Sequence, residues 1–130
     1  MKPEVDHITG QILDACIKIH NVLGPGLFES VYEQVLLYEL IKRGFSVHKQ
    51  KALPLVYDDI KFEDGFRVDL EVEGVVIVEI KSLEQLSPVH YKQLQTYLKL
   101  SNVKNGLLIN FNVLLMKEGF HRVFNNHLKR

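Results

Sequence analysis

The sequence predicts an α/β domain in which helices are set against a sheet centred on an acidic hairpin. Three observations predict it. Apolar residues recur at helical spacing in two stretches before Gly44 and in one after Ser87. Between them, Phe45 to Lys81 is rich in Val, Ile, Leu and Phe and is broken by turn residues, as strands are. After the last helical stretch come two further β-rich runs, Asn105 to Phe111 and Phe120 to Phe124. At 130 residues the whole chain, 1–130, reads as one domain with one core.

From Val5 to Leu23 the stripe Ile8, Ile12, Ala15 or Cys16, Ile19 and Leu23 marks an amphipathic helix. Cys16 reads as a small core residue because nothing pairs it with a base, and His20 as packing near the helix end. Gly24-Pro25-Gly26 stops the helix, since Gly relieves the C-terminal conformation and Pro cannot continue it. A second helix follows to about Arg43, with an apolar face of Phe28, Val31, Tyr32, Val35, Leu36, Tyr38 or Glu39, and Leu40, and Gly44 ends it. Glu29 lies in its first turn. There a carboxylate either stabilises the helix N-terminus, worth a few tenths to about 1 kcal/mol, or is a ligand aimed at a site. Tyr32 lies on the same flank.

Phe45 to Lys49 and Leu53 to Tyr57 read as strands, with Pro54 suggesting an edge, and Asp58-Asp59 as a turn. Ile60 to Phe62 is interrupted by Glu63-Asp64-Gly65, read as a solvated turn, before the central hairpin of Phe66 to Ser82. Its second arm, Val75 to Val78, is a continuous apolar run typical of a strand covered on both faces, yet it ends in Glu79-Ile80-Lys81. Period-two geometry puts Glu79 and Lys81 on one face. Register decides whether Asp69 joins them. A two-residue turn at Glu73-Gly74 separates Asp69 from Glu79. A three-residue turn Val72-Glu73-Gly74 unites Asp69, Ile77, Glu79 and Lys81, and is the favoured register; a distortion nearer Asp69 does the same. The alternative is a solvated strand end with Asp69 an ordinary edge charge.

Ser87 and Pro88 supply an N-cap and first residue for a helix to about Leu100, with an apolar side of Val89 or Tyr91, Leu94, Leu98 and Ser101. His90, Gln93 and Tyr97, spaced i, i+3 and i+7, share another flank that suits a site wall as well as water. Val113 to Met116 is a short apolar piece, and the polar, basic tail Asn125 to Arg130 is expected to fray.

The formal net charge is zero, which argues against an indiscriminate nucleic-acid coat, so any polyanion must meet a local patch. Lys49, Lys51, Lys92 and Lys99 are candidate phosphate contacts. The single cysteine excludes an intramolecular disulfide and a cysteine-based zinc site, which suits a reducing, cytoplasmic setting. Met1 to Glu4 lacks the hydrophobic core of a secretion signal, and no apolar run is long enough to span a bilayer, so no membrane is expected. There is no internal repeat, no helix-turn-helix pair and no Walker-type phosphate loop, hence no nucleotide cofactor.

Asp69 followed by Glu79-Ile80-Lys81 resembles the signature of the PD-(D/E)XK nuclease superfamily, with Arg67-Val68 before Asp69 in place of its proline. Gly26-Leu27-Phe28-Glu29-Ser30-Val31-Tyr32 is similar to the pattern that names the GxxExxY family of that superfamily. Gln93-Leu94-Gln95-Thr96-Tyr97 resembles the Gln-x-x-x-Tyr helix motif of its RecB-type branch. The resemblance implies a restriction-endonuclease-like αβββαβ core, a central mixed sheet flanked by helices. It further implies a metal-dependent nuclease, with Asp69 and Glu79 holding a divalent ion, Glu29 as an additional acidic ligand, Lys81 assisting the attacking water, and Gln93 and Tyr97 supporting the site. Tyr32 and His90 stand beside this set, Tyr32 as a core residue and His90 either touching phosphate or metal or lying on the surface. Hard oxygen ligands select Mg²⁺, or Mn²⁺, over zinc. The expected partner is nucleic acid, DNA ahead of RNA, with a homodimer or protein partner helping so small a chain grip a long substrate. The rival reading is a binding or interaction module that keeps the fold without turnover.

Overall fold

The computed structural model describes residues 4–128, and its elements run α1 (Val5–Leu23), α2 (Glu29–Lys42), β1 (Val47–Tyr57), β2 (Ile60–Val72), β3 (Val76–Lys81), α3 (Pro88–Ser101), β4 (Asn105–Asn110), α4 (Met116–Gly119) and β5 (Phe120–Phe124). Met1 to Pro3 of the expected leaderless start, and Lys129 and Arg130 of the expected frayed tail, lie outside the described residues. The strands form one mixed sheet in chain order, β1-β2-β3-β4-β5, and only the β3–β4 pair, joined through α3, is parallel. This is the restriction-endonuclease-like α/β architecture.

Both faces of the sheet are covered. On one, Ile8, Ile12 and Ile19 of α1 and Leu36 and Leu40 of α2 pack on Leu70, Val78, Ile80 and Ile109. On the other, Leu94 and Leu98 of α3 pack on Val68, Ile77 and Leu108. Coverage from two sides explains why Val76 to Val78 is apolar without alternation, since each side chain contributes roughly 1.5–3 kcal/mol wherever it points. Cys16 is fully buried in the α1 stripe, and burial pushes its thiol well above the usual range. His20 is buried too, its Nε2 2.8 Å from the Val113 carbonyl oxygen.

Several local expectations change. Strands expected at Phe45 to Lys49 and Leu53 to Tyr57 are one strand, with Pro54 at the register shift between Leu53 and Leu55. Glu63-Asp64-Gly65 is not a turn but part of β2; Glu63 and Asp64 are solvated on the strand, and a Cβ on Gly65 would strike Leu55 on the neighbouring arm. Val113 to Leu115 is a loop leading into α4, whose first residue is Met116. Phe28 and Val31, expected on the apolar face of α2, are exposed, and Phe28 is the N-cap rather than part of the buried stripe; of the pairs left open, Glu39 rather than Tyr38 is buried, and Tyr91 rather than Val89 packs on the core. Asn125 does not fray; it is buried, its amide donating to the Leu98 and Val103 carbonyls.

The central hairpin turns one residue later than expected. Val72 faces Val76, and the loop is Glu73-Gly74-Val75, with φ of 54° at Glu73 and 69° at Gly74. Parity is unchanged by this shift, so Asp69 still meets Glu79. The strand also changes face. Val68 packs towards α3 while Leu70 packs towards α1 and α2, although residues two apart share a face in a regular strand. The irregularity falls at Asp69, which is absent from the pairing on either side; its opposite number on β1, Gln50, has a φ of 48°.

Tyr32 locks the loop before α2 to the core. Its ring stacks on Phe111 at 4.3 Å, and its hydroxyl donates to Gly24 O (2.6 Å) and accepts from Leu27 N–H (3.1 Å). Replacing Tyr32 with Phe keeps the stack and leaves those two groups unpartnered. Urea unfolding should show a loss of about 1–3 kcal/mol; an unchanged midpoint would mean the loop is held by other contacts.

Candidate active site

The site begins where β2 and β3 part. Beyond Leu70 and Val78 the ladder stops, and carboxylates replace it. The Asp69 N–H donates to Glu79 Oε2 at 2.8 Å, and the Ile80 N–H donates to Asp69 Oδ2, also at 2.8 Å. Each acid thereby accepts from the other strand's backbone, and one oxygen of each stays clear of these bonds. Glu79 is only 5 % exposed.

Burial and mutual repulsion oppose ionisation here. The Glu79 carboxyl is pushed up to about 8, first by desolvation and then by the Asp69 charge, against the Asp69 N–H and Lys81. Asp69 is raised as well, mainly by burial, with the Ile80 N–H, Gln50 and Lys81 pulling the other way. Lys81 ends β3 on the same side, opposite Asn110 of β4.

The helix α2 brings Glu29 to this edge, its Oε2 accepting the Ser82 N–H at 3.2 Å while Ser82 Oγ donates to Leu27 O at 2.6 Å. One turn later stands Glu33, which belongs to none of the motifs read from the sequence. The Gln50 amide donates both to Glu33 Oε1 (2.6 Å) and to Asp69 Oδ1 (3.3 Å), and burial, partly countered by Gln50, raises the Glu33 carboxyl. The i, i+4 spacing from Glu29 is the signal that could have found Glu33; nothing in the sequence marks Gln50.

From the opposite face α3 contributes Tyr97, stacked on Phe66 at 5.0 Å and close enough to Glu79 and Asp69 for their charges, after burial, to raise its phenol; Gln93 bonds the same side chain. His90 is occupied differently, its Nδ1 accepting the Ser87 N–H at 3.0 Å and capping the helix. Among the candidate phosphate contacts, Lys49 lies near Glu33, Lys51 is paired with Glu71 at 2.7 Å, and Lys92 and Lys99 line a groove on the other flank of α3.

A family model described as the PD-(D/E)XK nuclease superfamily matches residues 6–123. The chain belongs to that superfamily. No curated protein and no solved structure matches it. The superfamily's proline is replaced here by Val68, which is fully buried in the α3-side core and so fills a packing position. Among the described residues no helix is long and apolar enough to cross a membrane.

PD-(D/E)XK nucleases typically use divalent metals, and the donors here fit a hard cation. They are oxygens, they are crowded enough to resist ionisation, and no cysteine approaches them. Among the described residues no three acidic, histidine or cysteine side chains are grouped so as to hold a metal ion, so Glu29, Asp69 and Glu79, expected as one ligand set, are not brought together as such.

The raised Glu79 carboxyl has a consequence for stability. The folded protein holds this proton more tightly than the unfolded chain, so metal-free stability should fall as pH rises from about 4.5 towards 8. Glu79→Gln removes the charge and keeps an acceptor for Asp69 N–H. Urea titrations in chelator should show the variant more stable than the parent at pH 8 by about 1–3 kcal/mol and the gap closing near pH 5. Parallel curves would place the ionisation elsewhere.

Proposed function

We propose that this protein is a metal-dependent nuclease that hydrolyses phosphodiester bonds by in-line attack of water. The observation that carries the reading is the pairing of Asp69 and Glu79 across the parted strands, beside Lys81. Asp69 and Glu79, with Glu29 as an additional acidic ligand, would hold a divalent ion, which would supply Lewis acidity towards the phosphate and the attacking water. Lys81, at the end of β3, orients the attacking water or offsets charge growing on the phosphate. Gln93 and Tyr97 form the wall on the α3 side, while Tyr32 acts through the loop that presents Glu29. His90 is committed to its helix cap.

The Gly26-x-x-Glu29-x-x-Tyr32 spacing supports placing the chain in the GxxExxY family. Each of the three has a distinct geometric role, in that Gly26 takes a φ of 97°, Glu29 reaches Ser82, and Tyr32 holds the loop. Mg²⁺ is the proposed ion, with Mn²⁺ able to replace it, and DNA is favoured over RNA as substrate. A cytoplasmic setting and a dimer or protein partner complete the reading.

Purified protein should cut labelled DNA or RNA in Mg²⁺ or Mn²⁺ and not in chelator. Lys81→Ala should lower the rate by about 100- to 1,000-fold, with Mn²⁺ affinity by calorimetry changed little. Asp69→Asn should weaken the ion itself by about tenfold or more. Loss of ion binding in Lys81→Ala would overturn the role given to that residue. Absence of products on every substrate, with the ion still raising the Tm, would leave a binding module instead.

A second expectation concerns the ion alone. Relieving the repulsion between Asp69 and Glu79 should stabilise the fold by about 2.7 kcal/mol at an ion concentration one hundred times the Kd. Thermal melts with and without Mn²⁺ measure it, and Glu79→Gln should lose most of the gain.

A further inference from the structure

Phe28 is 82 % exposed, and it is not on a loose loop. Its carbonyl accepts the Val31 and Tyr32 N–H groups at 3.0 and 3.4 Å. The residue before it, Leu27, is held through its N–H by the Tyr32 hydroxyl and through its carbonyl by Ser82 Oγ, and the residue after it, Glu29, accepts the Ser82 N–H. The backbone on both sides of the ring is thus pinned to the core and to the end of β3. Phe28 also lines an open surface depression of about 390 Å³, together with Leu27, Glu29, Ser30 and Ser82. Ser82 directly follows Lys81, and Glu29, which lines the depression, lies within electrostatic reach of Asp69.

We infer that this depression is a subsite for an unpaired nucleobase, which stacks on Phe28 next to the phosphate being cut. The inference rests on the nuclease reading and narrows its substrate. Any base offers a π face, so an aromatic platform of fixed position holds bases without reading sequence. In a duplex both faces of a base are covered by its neighbours in the stack. Away from a duplex end, only a single-stranded, frayed or extruded base can bring its face to Phe28. Ser30 offers a hydroxyl to the edge of the bound base, and Ser82 Oγ, whose proton goes to Leu27 O, offers only an acceptor. The substrate class is therefore nucleic acid that is single-stranded at the scissile phosphate.

The chain contains no tryptophan, so Phe28→Trp introduces a sole tryptophan reporter at the platform. In a Lys81→Ala background, a single-stranded oligothymidylate should quench this tryptophan, and the same length carrying abasic sites or held in a duplex should bind at least about tenfold more weakly. Phe28→Ala in that background should lower single-strand affinity by about 5- to 100-fold. Equal quenching by the abasic strand, no quenching by either strand, or unchanged affinity in Phe28→Ala would overturn the subsite. Failure of the two readings is distinguishable. Quenching by the base-bearing strand with no cleavage by the parent protein removes the nuclease and keeps the subsite. Cleavage by the parent with a KM unmoved by Phe28→Ala removes the subsite and keeps the nuclease.

Discussion

The two bonds between Asp69 and Glu79 are what the site depends on. A regular antiparallel pair would have carried backbone to backbone past Leu70 and Val78. Here each acid takes a backbone N–H from the opposite strand, so the strands can separate without stranding a buried donor. Among the described residues no buried side-chain nitrogen or oxygen lacks a hydrogen-bond partner. One oxygen of each acid, Asp69 Oδ1 and Glu79 Oε1, is left outside these two bonds. The acids are therefore structural and chemical at once, and the amide replacements Asn and Gln, which keep an acceptor, separate the two roles better than Ala does.

Such an arrangement is tense while it is metal-free. Burial opposes both charges, each charge opposes the other, and Glu33 adds a third carboxylate within electrostatic reach. Lys81 offsets part of this, and the Gln50 amide, donating to Glu33 and Asp69 together, offsets more. The backbone at Gln50 lies in the left-handed region, where a side chain costs of order 1 kcal/mol or more. The two apolar layers that enclose β3 make this tolerable, because its Val and Ile side chains are buried on both sides immediately before the charged residues.

Periodicity makes much of this visible in the sequence. The ends of α1 and the start of α3 match their spacing and caps, and the Val75 to Val78 run announces a strand covered twice. Parity within the hairpin is enough to join Asp69 to Glu79 even though the loop itself is displaced by one residue, because face membership survives a shift of two in register. What stays hidden depends on residues distant in sequence or on the ends of helices. Gln50 reaches Asp69 only because β1 lies against β2. Helical angle groups His90 with Gln93 and Tyr97, yet the first turn offers an N-cap that claims its ring. The same angle puts Phe28 on a buried stripe, but a residue at the N-cap precedes the helix and does not follow its face.

The loop before α2 shows why a short motif can need its particular spacing. Gly26 takes a left-handed conformation and lets the chain reverse after α1. Tyr32 lies far enough into α2 for its ring to reach Phe111 in the core, while its hydroxyl still reaches back to Gly24 O and Leu27 N–H. Glu29, one turn earlier, is then carried to Ser82 at the end of β3. Moving the tyrosine by one position would rotate it by about 100° around the helix, away from either the core or the loop. The clamp thus transmits the rigidity of the core to a carboxylate on the surface, and it delivers Glu29 and the exposed ring of Phe28 to the strand end as one unit.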